Sequence, residues 1–325
     1  VAEFEQIRGQ LKAKKLLSRA LANNRLSHAY LFSGPDGVGK AALANFFAAQ
    51  LLCEATGGEK PCGGCPGCKK FFSDNHPDFI RVTPDGAAIK IAQIRELKEA
   101  LIYSPFEKGY RVVILEDVQT MRREAGNSLL KILEEPPADN IFILLGSSKE
   151  TLLPTIVSRC QVIPFFPLSS ADAAKVIAAH SPELKQEDAV LLATLADGSP
   201  GRALTIQTSG LFELFQDFLT TVLKTYESKS QQVEQGLLLG GRISQLKEEL
   251  PVFLQLLRIF FKDVMAAHIS NHVQGIYPAQ IARARELWNL DQLSAKIAVV
   301  DLAERGLERN CNRGLVCEVL LLDLF

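Results

Sequence analysis

The sequence predicts an α/β chain: a parallel, doubly wound sheet carrying a phosphate-binding loop, followed by helices alone. Three observations carry this. A short apolar run, Ala29 to Ser33, leads into Gly34-Pro35-Asp36-Gly37-Val38-Gly39-Lys40 and a helical stretch to about Leu52, which is the strand–loop–helix order of a phosphate loop. Apolar runs alternate with helical periodicity as far as about residue 165, the pattern of βαβ units. After Pro167 the periodicity is helical throughout.

Taken in order, Gly9 to Leu26 reads as a basic amphipathic helix with Leu11, Leu16, Leu17, Ala20 and Leu21 on its apolar side. Phe79 to Val82 is a strand and Ile91 to Tyr103 a helix. Arg111 to Leu115 is rich in β-branched residues, as a strand buried on both faces requires. Met121 to Glu135 is a helix stopped by Pro136-Pro137. Ile141 to Leu145 is a strand, Leu153 to Ser158 a short helix, and Gln161 to Phe165 the last strand. Ser169 to Ser181, Lys185 to Ala196 and Pro200 to Thr208 read as three short helices. Long helices fill Leu211 to Phe325, with breaks expected at Gly236 to Gly241 and at Tyr277-Pro278. The expected division is 1–166 for the sheet domain with a cysteine insert at 53–68, 167–208 for a small helical lid, and 209–325 for a helical collar.

A length of 325 residues exceeds one ordinary core. The net charge of -1 supplies no global basic field, so nucleic-acid contact must be local or made by a larger assembly. No apolar stretch reaches the roughly 18 residues of a membrane span. Val1 to Gln10 carries Glu3, Glu5 and Arg8 and has no apolar signal core. The expected compartment is cytoplasmic.

Gly34-x4-Gly39-Lys40 has phosphate-loop spacing. Glycines let backbone N–H groups wrap a phosphate, and Lys40 and the helix N-terminus add positive potential. The next position should hold a hydroxyl for Mg²⁺, but it is Ala41. The acidic pair that ends the Val112–Leu115 run is Glu116-Asp117, the reverse of the usual Asp-Glu order. A longer side chain then stands at the metal position and a shorter one at the water position. Because an error of about 1 Å can cost about 100-fold, both changes predict weak or absent ATP turnover, doubtful Mg²⁺ and, at most, weak ATP or ADP binding.

Seven cysteines are present. Cys53-x8-Cys62-x2-Cys65-x2-Cys68 offers four thiolates in a Gly/Pro-rich context, a closed tetrahedral shell for structural Zn²⁺; an iron–sulfur cluster is the rival occupant. Cys160, Cys311 and Cys317 are expected to pack as small apolar residues.

Several stretches together resemble the clamp-loader subunits of bacterial DNA polymerase III. They are His28-Ala29-Tyr30-Leu31-Phe32, the cysteine cluster, Asn127 to Pro137 (NSLLKILEEPP), and Leu153 to Cys160, which holds Ser158-Arg159-Cys160. His76-Pro77-Asp78-Phe79, Pro84-Asp85-Gly86 and Ile89-Lys90-Ile91, with the eroded phosphate site, resemble the delta-prime branch more than the gamma/tau motors. The resemblance implies an AAA+ RecA-like domain, a helical lid and an all-α collar. It implies a hetero-pentamer with gamma/tau and delta subunits, acting on a sliding clamp and primed DNA. It makes Arg159 a finger toward a neighbour's ATP and leaves Glu116 and Asp117 as a degenerate acidic pair. It also makes Arg202, in Gly198-Ser199-Pro200-Gly201-Arg202, a phosphate-sensing residue beside Gly34, Gly37, Gly39, Lys40 and Ala41. Taken alone, Arg159 reads as a helix-end arginine capping carbonyls, and Arg202 as a solvated helix-start residue. Ser147 and Ser148 fall where a motor places a sensing Thr or Asn. The alternatives are an ATP-hydrolysing motor of the same family and a zinc-dependent nucleic-acid-binding module on a vestigial nucleotide fold.

Overall fold

In the computed structural model, residues 7–325 are described apart from 108, 227, 247–248, 271–276 and 310; the charged start at Glu3 and Glu5 lies outside them. The first part runs α1 Leu11–Ala22, β1 Ala29–Ser33, α2 Lys40–Leu51, α3 Pro66–Phe72, β2 Phe79–Val82, α4 Ile91–Ala100, β3 Arg111–Leu115, α5 Arg123–Glu134, β4 Asn140–Gly146, α6 Pro154–Val157 and β5 Gln161–Pro164. The five strands form one sheet in the order β2-β3-β4-β1-β5, and every pair is parallel. All five strand ends that lead into helical connections therefore lie along one edge, which brings together loops far apart in sequence.

Strand alternation sends Tyr30, Phe32, Val112, Ile114 and Ile143 to one core, with Leu43 and Phe47 of α2. Leu31, Val113, Leu115, Phe142 and Leu144 go to the other, with α4 and α5. The three inner strands β1, β3 and β4 are buried on both faces, as their continuous apolar runs required, whereas the edge strands β2 and β5 are partly exposed. In α1 the buried residues are Ala13, Leu17 and Ala20, whereas Leu11 is exposed; it lies in the first turn, at the end of the stripe. A capped helix not expected from the sequence, α3, stands inside the cysteine insert: Pro66 opens it and Cys65 Sγ caps it.

The remaining helices are α7 Ser170–His180, α8 Gln186–Leu195, α9 Pro200–Thr208, α10 Leu211–Val222, α11 Lys229–Ser244, α12 Leu250–Ser270, α13 Pro278–Leu287, α14 Leu290–Glu308 and α15 Arg313–Leu324. Two compact units result: Val1–Val176 with Asp197–Arg202, and Ile177–Ala196 with Ala203–Phe325. The dividing points fall inside α7, between α8 and α9, and inside α9.

Two sequence expectations fail in the helical unit. No break occurs at Gly236 to Gly241, where α11 runs unbroken. Two of its three glycines face the C-terminal helix: a Cβ at Gly236 would meet the Phe325 ring at 3.4 Å and one at Gly240 the Glu318 Cα at 3.6 Å, whereas one at Gly241 would meet nothing within 4 Å. Cys311 is exposed rather than packed, whereas Cys317 is buried. Tyr277-Pro278 is a boundary as expected, with Pro278 at the start of α13. Among the described residues, no helix is long and apolar enough to cross a membrane.

Candidate functional site

The phosphate loop joins β1 to α2. Gly37 and Gly39 have φ of +73° and +99°, conformations that glycine adopts without strain. Gly34 is fixed by crowding: a Cβ there would lie 2.4 Å from the Phe165 carbonyl oxygen. The loop is covered by Gly198 to Arg202. Gly201 N–H donates to the Gly37 carbonyl at 2.9 Å, Ser199 Oγ donates to the Asp36 carbonyl at 2.7 Å, and a Cβ on Gly37 would fall 2.4 Å from Ser199 Oγ.

Lys40 is turned onto its own loop. Its ammonium donates to the carbonyls of Gly34 and Pro35 and to Asp36 Oδ1, the last at 2.9 Å. All three donors are taken, so Lys40 reaches a phosphate only by giving up at least one of these contacts. Ala41 is exposed on the first turn of α2. Arg202 pairs with Asp197 at 3.6 Å, in the same segment that covers the loop.

Glu116 and Asp117 follow β3, on the same sheet edge. Glu116 Oε1 accepts from Arg81 Nη1 at 3.2 Å, and Arg81 Nη2 donates to Asn45 Oδ1 at 2.8 Å. Asp117 is exposed and left-handed, with φ +49°, and accepts from Gln119 Nε2 at 3.2 Å. Ser147 and Ser148 follow β4. Ser148 Oγ accepts from Glu150 N–H and caps a short turn, so its hydroxyl is occupied locally. The residues present do not fit Mg²⁺: Ala41 has no ligand oxygen, and Glu116 is held by a guanidinium.

The four cysteines do fit a metal. Their sulfurs all lie within 4.8 Å of one another. Backbone N–H groups point at them: Cys62 N–H to Cys53 Sγ at 3.5 Å, Cys65 N–H to Cys62 Sγ at 3.3 Å and Cys68 N–H to Cys65 Sγ at 3.3 Å. Such N–H groups stabilise thiolates, and those of Cys65 and Gly64 bring the Cys62 thiol down to about 6. Burial pushes Cys68 up to about 12. Four sulfurs in so small a shell could hold a metal cation.

Arg159 lies just beyond α6. Nη2 donates to Glu134 Oε1 at 2.6 Å and Nη1 to the Thr155 carbonyl at 2.9 Å. The carbonyl contact is the helix-end role expected of an isolated arginine; the Glu134 contact joins two sequence motifs. Cys160 next to it is held by burial at about 12 and is inert as a nucleophile.

Sequence reasoning missed Arg81, Asn45, Glu134 and Ser199 as parts of the site. Arg81, a charge within an otherwise apolar strand, was the available signal. The role of His76-Pro77-Asp78 also emerges only here. Asp78 and Arg111 are 1% exposed and paired at 3.4 Å. Asp78 accepts the N–H groups of Phe106 and Glu107, and Arg111 donates to the carbonyls of Ala100, Tyr103 and Ser104. Together they anchor the connection from α4 to β3.

A family profile described as "DNA polymerase III, delta subunit" matches residues 9–169. The DNA polymerase III subunit delta' of Bacillus subtilis is 32% identical over 329 residues, covering 96% of this chain and 95% of that protein. The tau subunit of the same organism is 33% identical over 248 residues, covering 75% of this chain and 41% of tau. The delta' subunit of Pseudomonas aeruginosa is 38% identical over 190 residues, 58% of each chain. A solved gamma-subunit-related protein of Thermotoga maritima aligns over 95% of this chain and 97% of its own, with a TM-score of 0.42 at 19% identity.

Proposed function

The chain belongs to the DNA polymerase III delta-prime family, and on that premise we propose that it is the clamp-loader subunit that completes a neighbour's ATP site without turning over ATP itself. The reading extends to a cytoplasmic hetero-pentamer with gamma/tau and delta, loading a sliding clamp onto primed DNA. Residues 1–166 form the AAA+ domain, 167–208 the lid and 209–325 the collar that joins the ring.

The observation that carries the reading is the contrast between two sites on one domain. The chain's own phosphate site has Lys40 bonded to Asp36, no hydroxyl at Ala41 and Glu116 held by Arg81. Arg159, by comparison, is held at a partly exposed position by one carboxylate, one carbonyl and the Ser158 hydroxyl at 3.3 Å. Such a pair contributes only about 0–1 kcal/mol, so a neighbour's triphosphate outcompetes it. A planar guanidinium delivered in this way stabilises charge on the transferring phosphoryl group, an effect of about 10³–10⁵ in rate where arginine fingers act. The carboxylates and Lys40 favour no independent motor function, because each is occupied by a neighbour in its own chain.

Cys53, Cys62, Cys65 and Cys68 hold structural Zn²⁺ in this reading: four thiolates leave no position for substrate. The metal would pin the start of α3 to the end of α2. Against a zinc-dependent DNA reader, the insert offers only Lys60, Lys69 and Lys70 as cations, and Lys60 and Lys70 are already hydrogen-bonded within the chain.

The test is DNA- and clamp-stimulated ATP hydrolysis by a loader rebuilt from motor, delta and this chain. Arg159→Ala should cut turnover several-fold while the complex still assembles. Unchanged turnover in an assembled complex would sink the trans role.

A further inference from the structure

The disagreement between this phosphate site and Mg²⁺ has a specific form. In a metal-dependent site of this kind, a divalent cation is held between the first turn of the loop helix and the acidic residue that follows the strand corresponding to β3 here. Here Ala41 and Asn45 are four residues apart, so they share one face of α2. Arg81 Nη2 donates to Asn45 Oδ1 at 2.8 Å and Nη1 to Glu116 Oε1 at 3.2 Å. One guanidinium thus spans from the Ala41 face of the helix to the acidic strand end. Its position is fixed from below: β2 pairs β3 in register, with Arg81 opposite Ile114 and Val82 opposite Leu115, and the Arg81 guanidinium lies 5.4 Å from the Phe79 ring centre.

From this geometry we infer that Arg81 replaces the divalent cation as the bridge between helix and acidic strand, so that any nucleotide this loop takes is bound without metal. The inference rests on the phosphate-loop reading. Three features work together. Ala41 removes a metal ligand, Arg81 neutralises Glu116, and the reach of the arginine fork holds α2 against the end of β3 with no ion. A cation held covalently to the chain needs no solution Mg²⁺, and it repels a second cation brought to the same carboxylate. Restoring the hydroxyl alone would therefore not restore metal binding; Arg81 must go as well.

The experiment is equilibrium binding of a fluorescent ADP to the full chain, in EDTA and in excess Mg²⁺. The chains compared are the wild type, Ala41→Thr, Arg81→Lys and the pair Ala41→Thr/Arg81→Met. Methionine keeps much of the apolar stem over Phe79, and circular dichroism checks folding. The wild type, Ala41→Thr and Arg81→Lys should respond to the probe identically in the two buffers. The double variant should bind at least about tenfold more tightly with Mg²⁺, a difference of about 1.4 kcal/mol. Magnesium-dependent binding by the wild type would overturn the inference. So would a double variant that binds equally in both buffers; either result leaves the phosphate-loop reading intact. If no folded variant binds the probe in either buffer, the phosphate-loop reading itself falls, and this inference with it.

Discussion

At the residue scale, the most instructive side chain is Arg159, because the chain spends it on itself. Its bond to Glu134 is partly solvated, with the two side chains 34% and 47% exposed, so it holds the guanidinium at a cost a competing phosphate can meet. Glu134→Gln should therefore change unfolding free energy by no more than about 1 kcal/mol and leave loader turnover undiminished. Arg159→Lys should behave like Arg159→Ala in turnover, since an ammonium lacks the planar fork. Asp78 and Arg111 give the opposite case. Both are buried and charged, and Asp78→Asn leaves Arg111 without its counter-ion, for which urea unfolding should record a loss of about 3–5 kcal/mol. Lys296 is a third kind. Its ammonium donates to the Leu324 carbonyl and sits 4.6 Å from the Trp288 ring centre, while burial lowers its pKa from 10.5 to about 8. Between these values the unfolded chain binds the extra proton, so this group makes stability rise with pH from about 8 to 10.5, and its penalty is fully present below about 8. Lys296→Met should remove that slope. Trp288, the single tryptophan, reports it by fluorescence-detected unfolding; an identical slope in the variant would assign the effect elsewhere.

At the scale of elements, α11 and α15 show how small residues set a packing distance. Glycine in a helix interior costs about 1 kcal/mol relative to alanine, yet α11 holds Gly236, Gly240 and Gly241 without a break. At Gly240 the nearest atom to an added Cβ is 3.6 Å away, an ordinary contact. Gly240→Ala should accordingly be neutral or stabilising by up to about 1 kcal/mol, whereas Gly240→Leu should overpack against α15 and lose about 1–3 kcal/mol, both measured by denaturant unfolding. The same helix marks where sequence reading stops. The strands β1 and β3 were legible to the residue because burial on both faces leaves apolar runs between turn signals; β2, an edge strand carrying the exposed Arg81, has no such run and was legible only from its short apolar, β-branched character. A glycine pair inside a helix looks like a break until the partner helix is known. Likewise the strand–glycine loop–helix and the cluster of four cysteines were legible, since both are local in sequence. The grip of Arg81 on Glu116, of Ser199 on Asp36 and of Glu134 on Arg159 was not, because each joins segments separated by 35, 163 and 25 residues respectively.

At the scale of the whole molecule, the four-cysteine cluster is tied to the sheet rather than standing apart from it. Leu52 and Phe71, on either side of the cysteine cluster, are buried in the same core as Tyr30, Phe47 and Val112, and Phe71 meets Phe79 of β2 with ring centres 4.8 Å apart. Zn²⁺ binding in small thiolate peptides contributes about 10–16 kcal/mol; if the proposed zinc occupies these four sulfurs, much of that would act on the order of α3 and hence on Phe71. Chelation, or Cys65→Ser, should therefore do more than release an ion. It should lower the thermal transition of the sheet-bearing unit, followed by far-UV circular dichroism. The four clustered cysteines lie within Val1–Val176, whereas Trp288 belongs to the other unit, so tryptophan emission observes a different part of the chain. The expected result is a circular-dichroism transition that moves to lower temperature on chelation while the Trp288 transition stays in place. A matched fall in both would mean that the two units unfold as one cooperative body, and an unchanged circular-dichroism curve that the metal holds only the loop between α2 and α3.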